Sequence, residues 1–426
     1  MENKIGYACT PLSLPYRTSR SFTIKNFTED KFNKAVKENL SDLLEILKWN
    51  HENNILLFRI SSDIIPFGSH EKNKFAFWKT FKNELLLCGN YIKNNNIRVS
   101  MHPGQYTVLN SVNEAVVKNS ILDLEYHCTF LDSMELDYTN KIVLHIGGIY
   151  GDKKSAANRF IENFNKLSSS LKKRLIIEND DKSYNIEDVL KISEILIIPV
   201  VFDNLHHKLN PCNLDILTIL DRVKKSWKPS DGAVKLHYSD QAIDKKTGSH
   251  SKFVISENFL NYYELVKDLN CDIMLEVKDK ELSAKKCLRL IYNEASISLR
   301  CTEWAKYKYS VMEKGYSNYK KCSQMINSDI SIREIYKFID NSLLLPFNDG
   351  NFVNAAEHVY GYIKTKASQK EKELFIELLK NPSENKIKLK ALLKKLCLKY
   401  NASYINASYY FIYWSSKAVD PRLEIE

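Results

Sequence analysis

No stretch of this sequence approaches the roughly 18 uninterrupted apolar residues of a membrane span, and the opening segment MENKIGYACTPLSLPYR is too poor in apolar residues for a secretory signal. The nine cysteines are odd in number, scattered and without a CxxC pair, so they read as reduced, mostly buried thiols. There is no fixed-period repeat and no low-complexity segment. Together these absences predict an intracellular, cytoplasmic protein with no membrane partner. What is present is ordinary for a globular chain: 44% hydrophobic and 27% charged residues, and 426 residues, enough for a large core and more than one domain. The net charge of +10 permits a polyanion partner without requiring one. Cys301–Glu426 carries 20 Lys+Arg against 14 Asp+Glu, so part of the excess lies there and the rest is spread over the first 300 residues.

Eight short apolar runs alternate with longer amphipathic ones up to about residue 297. The runs are Lys4–Cys9, Ile55–Ser61, Ile97–His102, Lys141–Ile146, Arg174–Asn179, Ile198–Asn204, Ala233–Ser239 and Asp272–Val277. Most are rich in Ile, Val, Leu or Phe, as buried parallel strands are. Stretches such as Asp30–Asn50, Phe75–Asn94, Asn113–Leu136, Lys153–Leu171 and Asn258–Leu269 read as the intervening helices. Eightfold alternation predicts an α/β fold, a (β/α)8 TIM barrel over residues 1–297. A doubly wound open sheet competes, but it would concentrate its site at one switch point. From residue 301 to 418 only helices are expected: Glu303–Gly315, Ser331–Ser342, Asn354–Thr365, Lys370–Leu379 and Lys386–Tyr400 make an all-α C-terminal domain.

The chemistry sits at the strand ends. Six of the ten histidines fall at or just after them, with two glutamates and an aspartate. His70 follows the second strand; His102 and His145 end the third and fourth; Glu178 ends the fifth. Asp203 and His206 end the sixth, His237 the seventh, with His250 in the loop beyond, and Glu276 ends the eighth. Unpaired, so many buried polar groups at one mouth would be very costly. Divalent ions resolve the cost, and the ligand number calls for two or three of them. Imidazole with carboxylate suits Mn²⁺, Zn²⁺ or Fe²⁺, and paired ions suit phosphodiester hydrolysis. Lys235 shares the inward face of its strand with His237. It is either a structural residue turned away from the ions or a neutral amine, which can take up CO₂ as a metal-bridging carbamate. Arg59 and Asp63 read as a core ion pair without chemistry.

The segments IGYACT, FRISSDIIPF, VSMHPGQY, VLHIGG, IIEND, FDNLHH, VKLHYSD and MLEVKDKE together resemble the UV-damage endonuclease family over roughly residues 4–297. That family is similar to the apurinic endonuclease and xylose-isomerase barrels. The resemblance implies a Mn²⁺-dependent enzyme that nicks damaged double-stranded DNA on the 5′ side of UV photoproducts, with abasic sites a further substrate, leaving a 3′-hydroxyl. It implies His102, His145, Glu178, Asp203, His206, His237, His250 and Glu276 as metal ligands; of these, Glu178 and Glu276 are expected to be the central ones. It also implies His70 as an active-site histidine, Lys235 as a carboxylated lysine, Gln105 and Tyr106 as the pair probing the duplex, and Tyr7 as an active-site tyrosine. Cys9-Thr10 departs from the family, where relatives can carry an asparagine. Lys153, Lys154, Lys245, Lys246 and Lys252 are expected on the DNA-facing loops. No obligate protein partner is implied, and the cell context would be cytoplasmic and nucleoid-associated. The alternatives are a metal-dependent sugar isomerase and a non-catalytic lesion-binding protein.

Residues Glu303–Phe411 resemble a helical domain of unknown function found at the end of YbgA-like proteins, which implies no activity. Tyr307, Tyr309, Tyr316 and Tyr319 lie among lysines there, and either pack helices or stack on bases. His358 reads as a core histidine.

Overall fold

The structure, a computed structural model, describes residues 3–243, 245–293 and 296–412. Eight parallel strands close on themselves in sequence order: β1 (Ile5–Ala8), β2 (Leu57–Arg59), β3 (Arg98–Met101), β4 (Lys141–His145), β5 (Leu175–Glu178), β6 (Val200–Asp203), β7 (Val234–Tyr238) and β8 (Cys271–Leu275), with β8 paired back to β1. The eight expected runs are these eight strands, each a little shorter than its apolar stretch. The register seats Tyr7 beside Phe58 and Leu275, and His145 beside Glu178. β1 and β2 lie so close that a Cβ on Gly6 would stand 2.0 Å from the Leu57 carbonyl oxygen, which fixes glycine there.

The outer helices follow the amphipathic stretches. Thr28 caps Glu29–Glu52 through the Lys31 amide, and Asn185 with Asp188 forms a capping box on Ile186–Leu196. Two expected helices are broken. Phe75–Asn94 becomes Phe77–Thr80 and Lys82–Asn94, with non-helical backbone at Phe81. Lys153–Leu171 becomes Lys153–Asn165 and Ser169–Arg174, because the Ser168 hydroxyl starts a new helix by accepting from the Leu171 amide.

The barrel is polar at both ends, but differently. At the strand starts, Arg98 pairs with Asp272 at 2.9 Å and Lys141 with Asp231 at 2.6 Å, so charge matches charge. At the strand ends there are imidazoles and carboxylates with few cations among them.

The described chain divides into two compact units. One holds the barrel up to Val254 together with Asn261–Lys285; the other holds Ile255–Leu260 and the chain from Lys286 onward. The dividing line crosses the last barrel helix, Glu281–Tyr292. The second unit is helical throughout its described residues from Ile297: Ile297–Lys314, Tyr316–Met325, Ile332–Leu343, Asp349–Tyr360, Gln369–Leu379, Pro382–Lys399 and the short Ser403–Asn406. Tyr316–Met325 was not anticipated, its sequence YSNYKKCSQM offering little apolar periodicity. Its core is built from Met312, Phe352, Val359, Ile363, Leu393 and Leu396. His358 is exposed on Asp349–Tyr360 instead of packing in that core. Residues 413–418, the end of the expected C-terminal domain, lie outside the described residues. Among the described residues no helix is long and apolar enough to cross a membrane.

Candidate metal centre

Glu178 is the hub. It ends β5, is fully buried, and has four imidazoles around its two oxygens. His237 Nδ1 is 2.8 Å and His206 Nδ1 3.7 Å from Oε1; His102 Nε2 is 3.1 Å and His145 Nε2 3.7 Å from Oε2. Three potential metal-holding triads share it: His102–His145–Glu178, Glu178–Asp203–His206 and Glu178–His237–Glu276. Glu276 adds His237 at 3.2 Å and His250 at 3.8 Å. His250 reaches the mouth because the segment after β7 doubles back, pairing Gln241 with His250 in an antiparallel bridge. All eight expected ligands are therefore brought together.

The surrounding bonds orient these ligands. His102 Nδ1 faces the Pro103 carbonyl at 3.1 Å and His206 Nδ1 faces the Asn179 carbonyl at 2.9 Å. A proton on each of those nitrogens donates outward and leaves Nε2 with its lone pair. Asn179 also clamps β6: its side chain donates to the Asp203 carbonyl and accepts from the Asp203 amide. Sequence reasoning did not single it out, although it follows Glu178 directly in IIEND.

A divalent ion fits this donor set. Among the described residues, five buried polar atoms at the mouth have no hydrogen-bond partner: Arg59 Nε and, of the expected ligands, His145 Nδ1, His237 Nε2, His250 Nδ1 and Asp203 Oδ2. The matched ion pairs at the other end of the barrel leave no such deficit around Arg98 and Lys141.

The electrostatics agree. Burial works against ionisation of Glu178, but the His237 and His145 imidazoles and the bonds from His102 and His237 outweigh it and hold the carboxyl well below its ordinary range. Glu276 is likewise lowered, burial being overcome by Arg59, His237 and His250. Asp203 has less support, and burial pushes it up to about 7. Burial alone would lower His206, yet Asp203, Glu178 and Glu276 carry it up to about 9. His145 and His250 are lowered, chiefly by burial. Arg59, read from sequence as a partner of Asp63 without chemistry, instead pairs with Glu276 at the mouth.

Lys235 is buried one layer below the cluster and donates to Ser100 Oγ at 2.7 Å. Burial, reinforced by Arg98 and only partly offset by Asp272, drives its amine well below the ordinary lysine value.

Gln105 and Tyr106 stand exposed on the turn after β3, Tyr106 at 83%. Thr107 anchors the turn: its amide donates to the Gly104 carbonyl and its hydroxyl to Asp123, which also accepts from Ser69. An open cleft of about 260 Å³ runs from Gln105 past His102, His145 and His206 to Asp180 and Lys182. Lys153, Lys154, Lys245, Lys246 and Lys252 are exposed; Lys153 is paired with Asp188.

Two expected site residues are not at this mouth. Tyr7 has no exposed surface; its hydroxyl donates to Asn50 in the helix Glu29–Glu52 at 2.9 Å, so its ring points out of the barrel and cannot meet DNA. His70 is exposed in the turn after β2, where its Nδ1 accepts from the Lys72 amide, and it belongs to none of the three triads.

Residues 3–307 match the family described as UV-endonuclease UvdE. The chain belongs to the UV-endonuclease UvdE family. It is an endonuclease of DNA-damage repair by that membership. A curated relative, the UV DNA damage endonuclease of Clostridium perfringens (strain 13 / Type A), is 47% identical over 403 residues, covering 92% of this chain and 96% of its own. That of Bacillus cereus (strain G9842) is 33% identical over 277 residues, 65% of this chain and 87% of its own. The crystal structure of SacUVDE superposes with a TM-score of 0.65 at 42% identity, covering 68% of this chain and 98% of that one. Residues 308–414 match a protein family of unknown function, DUF1722. The C. perfringens match reaches into this second segment, whereas the B. cereus match spans a length closer to the UvdE portion alone.

Proposed function

We propose that this UvdE-family endonuclease uses two or three divalent ions, Mn²⁺ foremost, to nick damaged double-stranded DNA on the 5′ side of cyclobutane dimers and 6-4 photoproducts, with abasic sites as further substrates. The observation that carries this reading is the sharing of Glu178 by three ligand triads. His102, His145, Asp203, His206, His237, His250 and Glu276 would complete the ligand set. Ions bound there would supply Lewis acidity and an activated water for in-line attack on a phosphodiester.

The chain's own residues have the remaining tasks. Arg59 fixes Glu276, and Asn179 fixes both Asp203 and His206, so the ligands are held before substrate arrives. His102 and Tyr106 are four residues apart on one segment, which ties lesion probing to the chemical site. A lesion that weakens stacking lowers the cost of flipping nucleotides out. Gln105 and Tyr106 would fill the vacated space with an amide and an aromatic face. Burial lowers the Lys235 amine, which favours carbamate formation there and would add a carboxylate beneath the cluster. His70, exposed on its loop and outside the three triads, is given no step in this reading. The catalytic module is taken as residues 1–297 and the accessory helical module as 301–418.

The test is nicking of UV-irradiated supercoiled plasmid with Mn²⁺, with and without chelator. Chelator-sensitive nicking of irradiated plasmid alone is expected. Retention of irradiated DNA without a nick would replace the endonuclease reading with lesion binding.

A further inference from the structure

The helical unit carries aromatic rings that its own core leaves partly exposed. Its fully buried core is made by residues such as Phe352, Val359, Ile363 and Leu393. Tyr307 and Tyr309 are buried alongside it, but Tyr316, Tyr362 and Tyr404 remain 38%, 40% and 46% exposed. These three are not isolated. Tyr316 stacks on Tyr319 with centroids 5.9 Å apart and planes 9° from parallel, and Tyr362 stacks on Tyr404 at 5.7 Å and 26°. The two pairs are linked through the buried rings of Trp304 and Tyr309. Tyr319 packs on Trp304, which lies one helical turn before Lys308. Lys308 Nζ sits 4.8 Å from the Tyr309 ring centroid and 5.0 Å from that of Tyr404. Tyr309 in turn holds Tyr362 through a 2.6 Å contact between their hydroxyls.

Each stacked pair has an ammonium over one of its rings: Lys308 over Tyr404, and Lys320 over Tyr316 at 4.7 Å from the centroid. Neither lysine is in an ion pair among the described residues, whereas neighbouring Lys306 is paired with Glu303 at 2.6 Å. The charge beside the rings is thus uncompensated. The segment Cys301–Glu426 as a whole is basic, 20 Lys+Arg against 14 Asp+Glu.

Partly exposed rings, preset in stacked pairs and each pair capped by an ammonium that has no ion-pair partner among the described residues, match the chemistry of an unpaired polynucleotide. Its bases offer faces for stacking, and its phosphates take the lysines. A duplex offers base edges and phosphates but no free base faces, so the rings would go unused on it. We propose that this tyrosine–lysine surface binds single-stranded DNA without sequence preference. The choice of DNA over RNA rests on the barrel's being a DNA endonuclease; the surface itself does not depend on it.

The test is fluorescence anisotropy of the full chain with a labelled oligothymidylate. The wild-type protein should bind, and a combined Tyr316→Ala, Tyr362→Ala, Tyr404→Ala variant should bind at least about tenfold more weakly. The corresponding triple Phe variant, which keeps the rings and loses only hydroxyls, should stay within about twofold of wild type. Tyr404→Ala alone, at the most exposed of the three positions, guards against misfolding of the triple variant and should still weaken binding several-fold. Lys308→Ala with Lys320→Ala should flatten the dependence of affinity on salt. No binding by wild type, or equal binding by wild type and the alanine variants, overturns the proposal. Tighter binding of oligouridylate than of oligothymidylate overturns the assignment to DNA. Incision of irradiated plasmid is read in the same preparations. Incision without oligonucleotide binding removes this surface and leaves the endonuclease reading standing, and binding without incision does the converse.

Discussion

Glu178 Oε1 lies 2.8 Å from His237 Nδ1, a contact that joins β5 to β7 across the barrel mouth, over the intervening β6. Every ligand triad passes through that carboxylate, so its loss cannot be made good by a neighbour. Glu178→Gln should lower incision of irradiated plasmid by at least about a thousandfold while leaving binding to irradiated DNA within a few-fold. Gel-based nicking and a filter-binding assay measure the two separately. Near-wild-type incision by this variant would refute the role given to Glu178.

His206 and Asp203 give the metal-free protein a pH signature. Folding lifts His206 from 6.5 to about 9, so the stability it contributes is full below about pH 6.5 and lost as pH rises through about 9. Asp203, raised from 3.8 to about 7, loses its contribution as pH rises between those values, mostly below that range. The depressed Glu178 and Glu276 work oppositely, contributing above about pH 4.5 and failing only in acid. The metal-free Tm should therefore fall between pH 6.5 and 9. Mn²⁺ affinity should rise over the same interval, by about tenfold per pH unit while one proton leaves the site on binding. Calorimetric titration in buffers of different ionisation heat counts that proton, and a pH-independent affinity would contradict the assignment.

Tyr106 is 83% exposed and makes little of the fold. Tyr106→Ala should leave Tm and metal content unchanged, within about 0.5 kcal/mol of stability. It should reduce the ratio of damaged to intact duplex binding about tenfold or more, if the ring replaces a base in the stack. Competition binding with a single-dimer oligonucleotide measures the ratio, and an unchanged ratio would remove Tyr106 from lesion recognition.

Lys235 has its buried amine 2.7 Å from Ser100 Oγ. Enriched ¹³C-bicarbonate should give a carbamate resonance that is absent in Lys235→Arg, and that variant should lose metal occupancy along with incision. Full incision with no carbamate signal would show Lys235 to be structural.

The strand ends were legible because buried parallel strands leave short apolar runs with a polar residue at the point of exit, as in KIVLH and LIIE. Eight such exits at one rim locate Glu178, Glu276 and the candidate ligand histidines before any contact is known. Which face a residue takes was harder. In β1 a shift of one residue exchanges inside for outside, and Tyr7 falls on the outer face with Asn50. Arg59 has an acid four residues away in sequence, yet its partner is Glu276, brought near by β8 folding back beside β1. Loop geometry carries no periodicity, so neither the outward placement of His70 nor the return of His250 through its bridge to Gln241 could be read from spacing. In the helical unit, lysines among tyrosines were visible, but burial of Tyr307 and Tyr309 and exposure of Tyr362 and Tyr404 depend on packing between helices.

Elemental analysis of purified protein, paired with the plasmid nicking assay on the same sample, tests the central claim most directly. The account predicts two or three divalent transition-metal ions per chain, loss of nicking when chelator removes them, and recovery on adding Mn²⁺. A sample that nicks irradiated plasmid at full rate while holding no such ion would contradict it.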